Sequence, residues 1–312
     1  MRMDKENLIS WLKLMNVKGL GPEKLMRLFS FFDGVARIKE ASNDMLLTTR
    51  IFNKEMIKEW DKLKKASDER FVDLIEICDK NNILIIPLID KRYPEKLKRM
   101  PYPPKTLFLK GDISLLNSDI IAMVGSREPN DKAKEWAFNI AKDLGNKGYT
   151  IISGGAKGID SVSHNGSLES LGRTICVLGS GILNPYPSEN AKMFEQILER
   201  EGLLISEHLP TFRGSRIALL QRNRITSGLS YALILCAGID NGGSMAQTDI
   251  AHKQRIPIFI PRLDMGIVPD EGLKYARKRF NAKEIEYAND LINYMKKEIN
   301  IEEQKELFSY SV

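Results

Sequence analysis

Eight short apolar runs rich in β-branched residues, ILIIPL, TLFLK, DIIAMV, YTIIS, TICVLG, GLLIS, YALILC and IPIFIP, recur between Ile83 and Pro261. Most are separated by stretches with helical spacing, such as DKAKEWAFNIAKDLGNKG and ENAKMFEQILEREG. Runs this short and this continuously apolar fit strands buried on both faces, with the intervening helices as cover. The alternation therefore predicts an α/β fold, a Rossmann-like, doubly wound, mainly parallel sheet. In such sheets ligands sit outside the carboxyl ends of the strands, so the strand-end loops are where function is expected.

Before this pattern the chain reads differently. LISWLKLM, PEKLMRLFSFF and NKEMIKEWDKLKK carry apolar residues three and four apart, as short amphipathic helices do. The expected organisation is a small all-α N-terminal domain over 1–68, an extended Rossmann-like domain over 69–296 and a helical tail over 297–312 without a winged helix. Between the first two helices, NVKGLGPEKL places Gly19 and Gly21 at a tight turn and Pro22 at a first helical position, as in a helix-hairpin-helix. Such a turn can offer N–H groups to a DNA phosphate, and a plain turn between packed helices needs the same residues.

At 43% hydrophobic and 28% charged residues the chain has the composition of a globular protein, and no apolar run reaches the length of a bilayer span. Its start, MRMDKENLISWLKLM, mixes both signs of charge instead of running from basic to apolar, so the expected location is the cytoplasm, with no membrane partner. Cys78, Cys176 and Cys236 lie far apart inside apolar stretches, which fits core positions and neither a disulfide framework nor a zinc cluster. The net charge of +6 favours an anionic partner without naming it.

Five loops follow predicted strands: MVGSREPND, SGGAKGID, LGSGILNPYPSEN, ISEHLP and CAGIDNGGSMAQTD. Glycine at a strand end lets a ligand approach the backbone, and the next helix turns unpaired N–H groups towards an anion. None is a standard cofactor loop. Aligning Gly155 and Gly158 with the last two glycines of the dinucleotide fingerprint leaves Ser153 in place of the first, and no loop ends in the Gly-Lys-Ser/Thr of a Walker motif. No NAD, ATP or other cofactor is expected.

Between the fourth and fifth loops, FRGSRIALLQRNRITSGLS brings Arg213, Arg216, Arg222 and Arg224 together, with no acidic residue between Phe212 and Tyr231 to pair with them. Guanidinium groups stay ionised and bind phosphate through paired hydrogen bonds, so this set points to an anion site. A solvated helix face is the plain alternative. His164, His208, His252, Asp160, Glu207 and Asp249 show no metal-ligand spacing, and Asp160 with His164 reads as a local contact at a helix start. Ser126 and Ser153 occupy no G-x-S-x-G elbow. Neither a metal site nor a catalytic set is expected, and the loops suggest binding more than bond-breaking.

In order along the chain, MVGSR, SGGAKGIDSVSH, VLGSGILNPYPSEN, LLISE, QRNRITSGLS and GGSMAQTDIA resemble the motifs of the DNA-processing protein A family, also called Smf. Upstream, RYPEKLKRMPYPPKTLFLKGD resembles the segment leading into that family's Rossmann-like domain. The resemblance implies a non-catalytic recombination mediator that binds single-stranded DNA, protects it and helps to load a RecA-type recombinase during natural transformation, acting as a homodimer. Carried over by position, it implies a DNA-contacting pocket with Arg127, Lys157, Arg222, Asn223 and Arg224, its backbone shaped by Gly125, Ser126, Gly154, Gly155 and Gly158. GGSMAQT stands where the family has an SGSLITA-like run, and ALLQ replaces its aromatic-proline start before RNR. Two other readings use the same pocket. NGGSMAQTD distantly echoes the P-G-G-x-G-T-x-x-E of nucleoside-monophosphate phosphoribohydrolases, with Asp249 in place of the glutamate, and a nucleotide-signal sensor would need the same phosphate-gripping residues.

Overall fold

The structure is a computed structural model, and it describes residues 3–297 of the chain. The expected helical tail over 297–312 lies outside the described residues apart from Lys297. Contacts divide the chain into two compact units: one holds Lys110 and the residues before it together with Ile205–Pro210, the other Gly111–Leu204 and the residues from Thr211 onwards.

The first unit contains α1 (Lys5–Leu14), α2 (Pro22–Phe31), α3 (Val35–Glu40), α4 (Asn43–Thr48), α5 (Lys54–Lys65) and α6 (Glu69–Lys80). Strand β1 (Leu84–Pro87), helix α7 (Glu95–Lys98) and strand β2 (Thr106–Gly111) follow, β1 and β2 pairing antiparallel. Trp11 and Trp60 are fully buried among leucines of the short helices, and the Trp11 indole donates to Thr106 Oγ1 at 2.8 Å, so its polar edge is satisfied. At the hairpin-like turn Gly19 takes φ +82°, a conformation open to glycine, and Pro22 opens α2. The Lys18 N–H in this turn donates to Glu59 Oε2 at 2.8 Å. A carboxylate of the protein thus occupies a donor that a DNA-binding hairpin would leave for phosphate.

The second unit is the Rossmann-like domain. Its elements are β3 (Ile120–Gly125), α8 (Asp131–Asn146), β4 (Thr150–Ser153), α9 (Ile159–Leu168), β5 (Thr174–Leu178) and α10 (Ala191–Glu199). Strand β6 (Leu203–Ser206) precedes α11 (Arg216–Leu229), β7 (Ala232–Ala237), α12 (Gly243–Lys253), β8 (Ile258–Pro261), α13 (Glu271–Phe280) and β9 (Lys283–Ile285), and a last helix, α14, spans 288–297. The central strands run β5-β4-β3-β7-β8-β9, and every pair among them is parallel. All residues of β4, β5, β7 and β8 are buried, as expected for strands covered on both faces. One helix layer is α8, α9 and α10, the other α11, α12 and α13, and both rest on the sheet. Cys78, Cys176 and Cys236 are buried free thiols.

The winding direction reverses between β3 and β7. From β3 the chain moves outward to β4 and β5, and from β7 it moves the opposite way to β8 and β9. Loops leaving adjacent strands to opposite sides open a crevice at their carboxyl ends, which is the switch point of a doubly wound sheet. β9 is the strand with no apolar run to announce it: KEI is three residues long, charged, and paired only along β8 at the end of this series. Short charged edge strands resist pairing with other chains and for the same reason carry a weak hydrophobic pattern.

Candidate functional site

At the switch point lies a cavity of about 960 Å³, lined by the loop after β3, by the first turns of α11 and α12, and by Gly179 and Tyr186 from the loop after β5. The loop after β3 fixes one wall. Gly125 leaves no room for a side chain, since a Cβ there would lie 2.5 Å from Ile159 and 2.9 Å from the Ala237 carbonyl. Ser126 donates its N–H to that carbonyl at 2.8 Å, and its own carbonyl accepts from Ile159 N at 3.0 Å. Arg127 projects from this strapped bend, exposed and, among the described residues, without a carboxylate partner.

The glycine-rich loop after β4 lines the cavity through Ala156, while its glycines back it. Gly158 caps α9 with φ +79°, where a Cβ would overlap the Ser126 carbonyl. A Cβ on Gly154 would overlap the guanidinium nitrogens of Arg222, so this glycine exists to let Arg222 lie flat against the backbone. The Gly154 carbonyl is held by His164 Nε2 at 2.7 Å, and His164 Nδ1 meets Thr174 Oγ1 at 2.7 Å. A carbonyl only accepts, so Nε2 carries the proton, and the one Thr174 hydroxyl proton is shared between Nδ1 and the Ile151 carbonyl, 2.8 Å from Oγ1. Full burial keeps this imidazole neutral, with its pKa pushed down to about 4. His164 therefore braces the loop and does not contact Asp160 as the helix-start reading expected. Asn190 Nδ2 donates to the Gly155 carbonyl at 2.9 Å, and Gly155 packs against Phe194.

Arg222, on the α11 face turned to the cavity, is 5% exposed. Among the described residues its Nε and Nη1 meet no hydrogen-bond acceptor. Asn223, 6% exposed, lines the cavity beside it. Arg224 does not: residues two apart on a helix point to different sides, and its Nη1 donates to the Gln221 carbonyl at 2.7 Å. Lys157 is also off the lining, its Nζ 2.7 Å from Glu189 Oε1 with both side chains 57% exposed. Of the ten residues singled out by sequence, Gly125, Ser126, Arg127, Arg222 and Asn223 line the cavity, Gly154, Gly155 and Gly158 shape its back, and Lys157 and Arg224 stand outside it.

Sequence reasoning named the loop that forms the fourth wall but singled out none of its residues. α12 opens on Gly242 with no side-chain cap, and Gly243, Ser244 and Gln247 line the cavity. Met245 and Ala246 N–H bond back to the Gly242 carbonyl, while among the described residues those of Gly243 and Ser244 meet no acceptor. Gln247 is 5% exposed and its buried Nε2 has no partner among the described residues. The signal available was the Gly-Gly pair before a helix, which a glutamine one turn later does not sharpen.

Four arginines, Arg127, Arg213, Arg216 and Arg222, thus face two carboxylates, Glu128 and Asp160. Burial raises the Asp160 carboxyl above the usual carboxylate range, and Arg222, the Ala156 N–H at 3.3 Å and Arg127 pull it back only in part. Desolvation thus works against the charged form of Asp160, the form that would pair with Arg222. The arrangement is a cation-rich crevice with donors in surplus among the described residues. Among the described residues no group of three or more His, Cys, Asp or Glu side chains could hold a metal ion.

The DNA processing protein DprA of Bacillus subtilis is 37% identical over 175 residues, 56% of this chain and 59% of that relative, so the match covers little more than half of the relative's length. The structure of DNA processing protein A from Streptococcus pneumoniae aligns over 94% of this chain and 98% of that one with a TM-score of 0.74 at 22% identity. That of DNA processing protein A from Helicobacter pylori, described for its single-stranded DNA binding mode, aligns over 69% of this chain and 96% of that one with a TM-score of 0.61 at 27% identity. Residues 84–296 match the family defined by DNA recombination-mediator protein A. With more than half its length inside that match, this chain belongs to the DNA recombination-mediator protein A family.

Proposed function

We propose that the protein is a single-stranded DNA-binding recombination mediator whose switch-point cavity grips backbone phosphates. One observation carries the reading: Arg222 is buried at the back of the cavity with Nε and Nη1 unmatched among the described residues, ringed by Arg127, Arg213 and Arg216. A buried guanidinium without acceptors is costly, and a phosphate supplies the charge and the oxygens it lacks. Arg127, Arg222 and Asn223 would contact the strand directly. Lys157 would join by exchanging Glu189 for phosphate, and Arg224 would act outside the cavity. The relative from Helicobacter pylori, with its single-stranded DNA binding mode, supports this choice of ligand. In this proposal the protein protects incoming DNA, acts as a homodimer, hands the strand to a RecA-type recombinase during natural transformation, and performs no catalysis. Asp249, the carboxylate a phosphoribohydrolase would need, is 2.5 Å from Lys253 on α12 and does not line the cavity, which favours binding over glycosidic cleavage.

Titration of labelled single-stranded and duplex oligonucleotides tests the reading. Tighter binding of the single strand is expected, and Arg127→Glu should weaken it by about tenfold or more with an unchanged melting temperature. The proposal fails if Arg127→Glu binds like the parent. It also fails if a nucleoside monophosphate is hydrolysed and Asp249→Asn abolishes that turnover.

A further inference from the structure

The unmatched donors of the cavity are more numerous than an internal phosphodiester can use. Arg222 offers one N–H from Nε and two from Nη1, Gln247 offers its amide NH2, and Gly243 and Ser244 offer backbone N–H groups at the uncapped start of α12. Arg222 and Gln247 are each 5% exposed, and all four residues line the same cavity. Helix α9 is the control within the same domain. It too begins without a side-chain cap, but its Ile159 N–H is taken by the Ser126 carbonyl, and its first turn carries Asp160. The start of α12 carries no acidic residue, and unlike α11, whose first turn also lines the cavity but is capped by the Ser215 side chain, it has no side-chain cap, so its positive end is open to the cavity.

A diester presents two free oxygens and one negative charge. A terminal phosphomonoester presents three free oxygens and, near neutral pH, between one and a half and two negative charges, by the roughly −1.5 to −2 of a phosphomonoester. The location of Arg222 adds a steric reason. It lies beneath the surface against Gly154, so an internal phosphate reaching it must drag a sugar in on each side, whereas an end brings one. A cavity of about 960 Å³ has room for the nucleotide attached to that end.

Building on the proposed role in binding single-stranded DNA, we propose that this cavity is an end-binding site: it takes a terminal phosphomonoester, as on a phosphorylated DNA end or a free nucleoside monophosphate, in preference to the internal diester. Four labelled probes of one sequence test it by titration: hydroxyl at both ends, 5′-phosphate, 3′-phosphate, and a covalently closed circle. Deoxyadenosine 5′-monophosphate serves as an unlabelled competitor. At least one phosphorylated end should bind about fivefold or more tighter than the hydroxyl-ended strand and the circle, the scale of one added charge-assisted hydrogen bond. The monophosphate should erase that advantage. In Gln247→Leu, which keeps the volume and removes the donor, the difference between phosphorylated and hydroxyl probes should collapse, and Arg222→Lys should reduce it. Equal affinity for all four probes overturns the end-binding site while leaving single-stranded DNA binding intact. If no probe binds, the DNA reading itself falls, and competition-free binding of the monophosphate then reports whether the phosphomonoester site stands alone.

Discussion

A guanidinium removed from water without acceptors costs several kcal/mol, and Arg222 is held in that state by particular residues. Gly154 makes room for its planar face, His164 fixes the Gly154 carbonyl, and burial disfavours the charged form of Asp160 beside it. The site therefore has an acid that competes with the ligand for Arg222. Asp160→Asn removes that competitor and keeps an oxygen for the Ala156 N–H, so single-stranded DNA should bind severalfold tighter. Stability gives a second readout. A carboxyl whose folded pKa is raised destabilises the fold when ionised, above that pKa, and the cost disappears as pH falls towards the unfolded value of 3.8. Asp160→Asn should melt higher than the parent at pH 7, with the gap closing towards pH 4; thermal melts across pH check this. An equal or lower melting temperature at pH 7 would contradict the burial account. Sequence revealed that arginines cluster in RNR but not which one turns inward, because that depends on where α11 meets the sheet. Nor could it show Lys157 meeting Glu189, a partner 32 residues away whose approach the NPYPSEN loop decides.

Among the elements, α9 and α12 differ in what they offer an anion. Both start at strand ends on glycine, but α9 spends its first N–H, that of Ile159, on the neighbouring loop while α12 leaves Gly243 and Ser244 open to the cavity. Gly243→Pro isolates that contribution. Proline suits a first helical position, the preceding Gly242 is already extended at φ −86° and ψ 169°, and a Cβ on Gly243 would meet nothing within 4 Å. The variant should fold with equal or slightly greater stability, by up to about 1 kcal/mol. It should bind single-stranded DNA severalfold more weakly, having lost one donor. Unchanged affinity would remove α12 from the site. Strand-end loops were legible in sequence because continuous apolar runs end sharply at glycines. The neighbour relation of β3 and β7, which makes the crevice, was not, since more than a hundred residues separate the two strands and nothing local in either specifies the pairing. β9 went unrecognised because KEI has neither length nor apolar content.

For the whole molecule, a net charge of +6 is shared with many solvated surfaces, and the structure shows where it is concentrated to effect. Many surface cations are neutralised locally, as Arg262 is by Asp264 and Glu286 and Arg173 by Asp112 and Glu201. Around the cavity, Arg127, Arg213, Arg216 and Arg222 have no such partners among the described residues. Cations left unpaired at one place are those that release counterions when a polyanion binds, so affinity should fall steeply with salt. In the first unit the Lys18 N–H of the hairpin-like turn is bonded to Glu59. The central claim is that Arg222 meets a DNA phosphate, and the direct test is the salt dependence of single-stranded DNA binding in the parent and in Arg222→Gln. One lost phosphate contact should lower the slope of log affinity against log salt by about 0.7 and weaken binding at every salt concentration, while the melting temperature stays equal or rises. Coincident lines for the two proteins would show that the buried arginine never touches DNA.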